Sequence, residues 1–179
     1  MMINSIEPSA FDEGTCYVAG TKYKTGDFAP YLYKTTDYGK SWKKITNGIN
    51  GEHFTRALRE DPKRKGLLYA GTETGMYISF NDGNNWKPFQ MNLPVVPITD
   101  LTIKDNNLIV ATQGRSLWTI DDLSVIHQLY DADLNKHVLF KPKDTYRMRG
   151  GSFKGSKTTG TNHPNGVITY FNLKDLKDD

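Results

Sequence analysis

The segments TTDYGKSW (residues 35–42) and SFNDGNNW (residues 79–86) carry the same short pattern and decide the fold of this chain. Both follow Ser/Thr-x-Asp/Asn-x-Gly-x-x-Trp, and their tryptophans, Trp42 and Trp86, lie 44 residues apart. A repeat of this length, built from short apolar runs between turns, is typical of one blade of a β-propeller. The sequence therefore predicts an all-β chain made of stacked, four-stranded antiparallel blades.

The residues shared by the two copies are typical of a tight turn that side chains stabilise. An Asp or Asn side chain accepts backbone N–H hydrogen bonds two residues on, and a glycine supplies the positive φ that such a turn needs. The tryptophan begins the next strand and buries a large ring against a neighbouring sheet. We therefore interpret eight positions as structural: Thr35, Asp37, Gly39, Trp42, Ser79, Asn81, Gly83 and Trp86.

The repeat divides residues 1–141 into three predicted blades, covering about residues 1–47, 48–93 and 94–141. Before each of the first two turns lies a short strand of alternating apolar residues, and a second hairpin precedes it. A propeller needs at least four blades to close. We therefore expect this chain to be a fragment of a longer protein, whose remaining blades are its partners.

The third predicted blade departs from the pattern after its third strand, at residues 116–120. Asp121 and Asp122 stand where the turn is expected. The apolar spacing of the following residues predicts a short helix near residues 122–129, capped by one of these two carboxylates. We expect residues 137–140 to complete the blade as its outer strand.

Beyond residue 141 the composition changes. Six lysines and arginines against one aspartate give residues 141–160 a net charge of +5, whereas the whole chain carries +3. Four glycines and several Ser and Thr accompany them, which is typical of a flexible linker. We predict a basic, glycine-rich linker over residues 142–163 and the first strand of a truncated following domain within residues 164–179.

Longer stretches carry a resemblance to a known family. The turn repeat resembles the Asp box, or bacterial neuraminidase repeat, of sialidases, sortilin-type receptors and xyloglucan-degrading glycosidases. ATQGRSLWTIDDLSVIHQL (residues 111–129), VLFKPKDTYRMRGG (138–151) and NHPNGVITYFNL (162–173) are similar to the propeller end of large secreted sortilin-like bacterial proteins, often labelled glycosyl hydrolases. The resemblance implies a secreted, periplasmic or cell-envelope protein, although no signal-peptide pattern precedes the first strand. Gln113 replaces a histidine found in many relatives.

Carboxylates and arginines near the propeller axis are the candidate site residues. Glycosidases place two carboxylates across the scissile bond, and propeller ligands usually bind where the innermost strands and their loops meet. This favours Asp100 and Glu73 as candidate catalytic carboxylates. The candidate anion or sugar contacts are Arg56, Arg59 and Arg115. The alternative is that these side chains tie the inner strands together.

Aromatic side chains offer a second candidate surface. Tyr23, Phe28 and Tyr31 lie in or beside the long loop of the first blade, and Tyr38 follows nearby. Aromatic faces stack on sugars or hold peptide side chains, but in this fold most aromatic rings pack between blades.

Other function classes find no support in the sequence. The four histidines are scattered and Cys16 is the one cysteine, so no metal or cofactor site is predicted and no internal disulfide can form. No arginine triad with a tyrosine nucleophile can be assembled for a sialidase, and residues 150–157 do not match a phosphate loop. We interpret the basic stretch as solvated linker rather than a nucleic-acid site. No apolar run approaches the roughly 18 residues of a membrane helix.

Two functions remain. The first is a non-catalytic segment of a secreted propeller that serves as a scaffold or binding surface for a peptide or a carbohydrate. The alternative is part of a glycoside hydrolase whose active site is completed by the missing blades. Carboxylates paired with arginines would favour the first, and an open carboxylate pair facing the axis would favour the second. In both cases we expect this chain alone to hydrolyse nothing.

Overall fold

The computed structural model describes residues 1–146 and 166–174, and the chain divides into two compact units, Met1–Leu123 and Ser124–Asp179. The fold is all-β, as predicted, and antiparallel sheets form the first unit. Most of the predicted linker, residues 147–163, lies outside the described residues, so the predicted domain boundaries stay predictions.

The first blade is a four-stranded sheet in the order β1-β2-β3-β4. Alternating apolar residues form the long inner strands, and a 3-10 turn at Tyr23–Thr25 interrupts the connection between β2 and β3. The outer strand is only two residues long, so the chain leaves the sheet soon after the turn. The strands are β1 (Met2–Pro8), β2 (Cys16–Lys22), β3 (Asp27–Thr35) and β4 (Lys43–Lys44).

The second blade repeats this plan in the order β5-β6-β7-β8. Every residue of its two central strands is buried, because another sheet lies against each face. The strands are β5 (Thr55–Glu60), β6 (Leu68–Thr72), β7 (Met76–Ser79) and β8 (Lys87–Pro88).

The third blade has three strands rather than four, in the order β11-β10-β9. They are β9 (Ile98–Lys104), β10 (Asn107–Thr112) and β11 (Leu117–Ile120). After Ile120 the sequence lacks the glycine and tryptophan of the turn pattern, so the chain does not fold back onto β11. It enters the helix α1 (Ser124–Leu129) instead.

The predicted outer strand of the third blade is therefore wrong. Within residues 137–140 the strand β12 (Val138–Leu139) pairs antiparallel with β13 (Phe171–Asn172), not with β11. The strand expected after residue 164 is thus two residues long and lies beside β12. Within the described part of the chain, no helix is long and apolar enough to span a membrane.

Side chains close both turn phrases, although over a longer span than the predicted two residues. Asp37 Oδ1 accepts a hydrogen bond from the backbone N–H of Ser41 at 2.9 Å, and Asn81 Oδ1 accepts one from Asn85 at 2.8 Å. The Thr35 hydroxyl accepts a hydrogen bond from the backbone N–H of Gly39 at 2.9 Å. In the second copy the Ser79 hydroxyl accepts one from the N–H of Gly83 at 3.0 Å. The glycines have φ of +82° and +76°.

An apolar core joins the first two blades face to face. Trp86 is 3% exposed, and its indole Nε1 donates to the backbone carbonyl of Ile45 at 2.7 Å. Trp42, at the same place in the first copy, is 45% exposed, so the predicted burial is wrong for this residue. No described sheet covers that face of the first blade. The core consists of Tyr17, Ala19, Leu32, Ile45 and Ile49 from one side and Leu58, Leu68, Ala70, Tyr77 and Trp86 from the other.

Polar contacts also tie these two blades. The Tyr17 hydroxyl donates to Asp82 Oδ1 at 2.7 Å, and Lys34 forms an ion pair with the same carboxylate. Burial raises the pKa of Tyr17, so the phenol remains a hydrogen-bond donor. The buried Thr55 hydroxyl donates to the carbonyl of Gly20 at 3.0 Å. The stack is thus fixed by directional bonds as well as by apolar burial.

Candidate functional site at the inner strands

Antiparallel strands place alternate connections at opposite ends of each blade. The two turn phrases and the β1–β2 and β5–β6 connections lie at one end, where Asp82 N–H donates to Gly66 O at 2.8 Å. The β2–β3, β4–β5, β6–β7, β8–β9 and β10–β11 connections lie at the other end, which we name the loop end. There Glu73 N–H donates to Phe54 O at 3.1 Å.

Glu73 lies on the β6–β7 connection at the loop end, and Arg56 lies near the start of β5. The neighbouring register pair Thr55 and Thr72 brings them together. Arg56 Nε lies 2.5 Å from Glu73 Oε2, and both side chains are mostly buried. The first candidate carboxylate is therefore engaged by one of the candidate arginines.

Asp100, on β9, is also paired with an arginine, Arg59, but its side chain is 63% exposed. Arg59 Nη2 donates to Asp100 Oδ1 at 2.7 Å. Its other terminal nitrogen donates to Ser5 Oγ and to Leu58 O, each at 2.7 Å, and lies 3.7 Å from the carboxylate of Glu7. One guanidinium thus joins β1, β5 and β9, the inner strands of all three blades.

Glu7 completes this cluster on the first blade. Burial raises the pKa of Glu7, and the charge of Arg59 opposes that rise. Glu7 Oε1 also accepts a hydrogen bond from the backbone N–H of Glu60 at 3.3 Å. The sequence pointed to Arg59 but gave no signal for Glu7, because its role depends on contact with residues about 50 positions away.

The arrangement suits a structural role better than acid–base chemistry. A catalytic carboxylate must meet the substrate across an open space. Glu73 is mostly buried against Arg56, and the more exposed Asp100 accepts a hydrogen bond from Arg59. Arg115 lies on the β10–β11 connection, where its backbone carbonyl accepts from the indole of Trp118 at 2.9 Å and its side chain is exposed. The three candidate arginines thus make different contacts in the fold.

A cluster of aromatic rings and one arginine lies at the loop end, and we name it the aromatic cluster. Tyr23 stacks on Phe54 with ring centroids 5.1 Å apart and 13° between the planes, and Phe28 lies 6.1 Å from Phe54. The guanidinium of Arg56 lies 5.3 Å from the Phe54 centroid and 5.9 Å from that of Tyr23. Phe28 is 52% exposed, so the cluster presents one ring to solvent.

Sequence reasoning found two of the three rings of this cluster, and it named Arg56 as a candidate contact. It singled out Tyr23 and Phe28 but missed Phe54, which lies just before β5 and so at the same end as the β2–β3 connection. Tyr38, grouped with them in sequence, lies in the first turn phrase at the opposite end and is 74% exposed. The Tyr31 hydroxyl donates to the carboxylate of Asp27, and this bond lowers the pKa of Asp27.

The two aspartates after β11 make local contacts. Asp122 Oδ1 accepts a hydrogen bond from the Asn106 side chain at 2.7 Å, and Asp121 Oδ1 accepts from the Thr119 hydroxyl at 3.4 Å. The helix α1 begins at Ser124, two residues after Asp122. The capping of this helix by either aspartate stays a prediction. Among residues 1–146 and 166–174, no group of three or more His, Cys, Asp or Glu side chains is placed to hold a metal ion.

Comparison with known proteins gives a likeness of fold. No family model and no curated protein matches the chain. Among solved structures, an ancestral GH74 enzyme superposes with a TM-score of 0.52 and 22% identity, over 64% of this chain and 14% of its own length. The GH74 enzyme of Niastella koreensis superposes with a TM-score of 0.52 and 14% identity, over 67% of this chain and 21% of its own length.

A third structure, YCF48 bound to D1 peptide, gives a TM-score of 0.46 and 20% identity, over 66% of this chain and 36% of its own length. This chain therefore spans between 14% and 36% of these structures. All three identities lie under 25%, so the likeness is one of fold. The structural relatives are β-propeller proteins, and the chain is a partial β-propeller.

Proposed function

We propose that this chain is a non-catalytic arc of a secreted, sortilin-like Asp-box propeller, serving as a scaffold or as a binding surface for a peptide or a glycan. The observation that carries the proposal is the pairing of both candidate carboxylates with arginines, Glu73 with Arg56 and Asp100 with Arg59. Each candidate carboxylate already has an arginine partner, which supports a structural role for both.

The aromatic cluster supplies the proposed binding surface. An exposed ring in a cluster that also contains a guanidinium suits the face of a sugar or an apolar peptide side chain next to a polar group. Phe28 provides the exposed ring and lies beside Phe54, on which Tyr23 stacks. The cluster lies at the loop end, where five connections converge.

The alternative proposal is part of a glycoside hydrolase whose site needs further blades. Its support is that two of the solved structures that the chain resembles, both with TM-scores over 0.5, are GH74 enzymes. That likeness is one of fold, and fold alone does not establish activity. The arginine-paired carboxylates favour the first proposal over the hydrolase.

A turnover assay tests whether this chain alone is catalytic. The purified chain is incubated with aryl glycosides and with xyloglucan, and reducing ends are measured. We expect no turnover. Hydrolysis that disappears in Asp100→Asn would replace the binding proposal with the hydrolase.

A binding screen tests the surface itself. The chain is screened against glycan and peptide arrays, and each hit is measured again with Phe28→Ala. We expect at least a tenfold loss of affinity in Phe28→Ala and none in Tyr38→Ala, the matched control at the opposite end. Equal affinities for the two variants would exclude the aromatic cluster as the binding surface.

A further inference from the structure

The first blade carries an apolar face that no described part of the chain covers. On this face lies a groove of about 340 Å³ with almost wholly apolar walls. Apolar surface gathered in one contiguous patch marks an interaction site more often than scattered exposed residues do. The groove is lined by Met1, Ile3, Ile6, Val18, Tyr33 and Trp42.

Strand register shows that this face repeats a buried face of the second blade. In the first blade Val18 pairs with Ile6 on one side and Tyr33 on the other. Ala70 has the corresponding partners in the second blade. The matching positions are Ile6 and Leu58, Val18 and Ala70, Tyr33 and Tyr77, and Trp42 and Trp86.

The two faces differ in exposure, not in chemistry. Leu58 and Trp86 are 0% and 3% exposed because the first blade covers them, whereas Ile6 and Trp42 are 63% and 45% exposed. The free face of the first blade is therefore one half of an interface that the chain already forms once, between its first and second blades.

The third blade leaves the complementary half open. Register places Ile109, Ala111 and Leu117 at the positions that Tyr17, Ala19 and Leu32 hold in the first blade. The first-blade residues cover the second blade. On the third blade Leu117 is 69% exposed. Among the described residues, no other sheet covers either half of the repeated interface, and the two halves lie at opposite ends of the three described blades.

We propose that a second copy of this chain covers the free face, with the third blade of one copy packing on the first blade of the other. The inference rests on the proposed function in one respect, that the chain is an open arc. The described blades of two copies, joined at both ends, number six, within the range of about four to eight that propellers use; those of three copies would exceed it. A head-to-tail contact whose rotation closes gives a ring rather than a filament.

Mass measurement by light scattering after size exclusion tests the proposal on the full chain. We expect twice the chain mass of 20.3 kDa. Ile6→Glu and Leu117→Glu place a charge in opposite halves of the contact, so each is expected to halve the mass with an unchanged circular dichroism spectrum. Val95→Glu, at a loop residue that is 79% exposed, is the matched control and stays dimeric.

Mixing the two charged variants identifies the head-to-tail geometry. One contact of the mixed pair keeps both native halves, so we expect dimers to return in the mixture. A dimer that Ile6→Glu breaks and Leu117→Glu leaves intact would overturn the proposal in favour of two first blades face to face. A monomer at every concentration would overturn it in favour of a blade from a longer polypeptide. Neither result depends on the turnover assay, so the two proposals fail separately.

Discussion

Removing the Trp86 side chain tests how much of the fold depends on blade stacking. Its indole is 3% exposed, packs between the first and second blades, and donates a 2.7 Å hydrogen bond to Ile45. Trp42 holds the same position in the first copy, but it is 45% exposed and bonds only to Gly39, within its own turn. Trp86→Ala and Trp42→Ala therefore form a matched pair.

The expected cost follows from the buried area. A buried tryptophan removes about 150–250 Å² from water, which at about 25 cal/mol per Å² corresponds to about 4–6 kcal/mol. Residual burial in the unfolded chain lowers this cost by roughly 10–40%. Loss of the hydrogen bond adds about 1 kcal/mol to the cost. We expect Trp86→Ala to lower the free energy of unfolding by about 4 kcal/mol, near the middle of the range for such substitutions. Trp42→Ala removes roughly half the buried area, so about 2 kcal/mol or less is expected.

Urea unfolding followed by circular dichroism, at protein concentrations low enough for a monomer, measures both values. With a slope of about 2 kcal/mol per molar urea, the midpoint falls by about 2 M in Trp86→Ala and by about 1 M or less in Trp42→Ala. If Trp86→Ala does not fold, Trp86→Phe keeps most of the packing and reports the lost hydrogen bond. Equal midpoints for the two alanine variants would refute the stacking argument.

Three further predictions follow from single side chains. Burial raises the pKa of Glu7, so the native state loses stability as pH rises through that pKa. Glu7→Gln should therefore stabilise the chain more near pH 7 than near pH 4, as measured by urea midpoints. The same effect of the substitution at both pH values would contradict this. The Ser41 hydroxyl holds the pKa of Asp37 at about 2, so Ser41→Ala should raise it, as read by carboxyl ¹³C NMR titration; an unchanged pKa excludes the bond. Gly83→Ala should cost about 1–3 kcal/mol more than Gly26→Ala in urea unfolding, because both have positive φ but only the first places a Cβ 2.6 Å from a buried isoleucine. Equal costs would contradict that contact.

The sequence predicted the blades because the residues that specify each turn lie close together along the chain. An Asp or Asn, a glycine and a tryptophan at fixed spacing define a turn within eight residues, and strands of alternating apolar residues flank it. The second and first blades follow this pattern. The third blade keeps its first three strands for the same reason and loses the fourth where the turn residues are missing.

What the sequence could not supply depends on neighbours distant along the chain. Trp42 and Trp86 occupy the same place in the repeat, yet one is exposed and the other buried, because only one faces another described sheet. The pairing of Arg59 with Asp100 joins residues 41 positions apart. Residue type alone therefore indicated which side chains could form a site, but not which partners would neutralise them.

The contact between Trp86 and Ile45 tests the central claim, that blades of this chain stack face to face, most directly. A ¹⁵N-edited NOESY spectrum reports the protons near the Trp86 indole N–H, which bonds to a residue 41 positions earlier. The stacked arrangement predicts cross-peaks from this proton to the Ile45 side chain and Hα. Cross-peaks confined to residues of its own hairpin, 76–88, would contradict it.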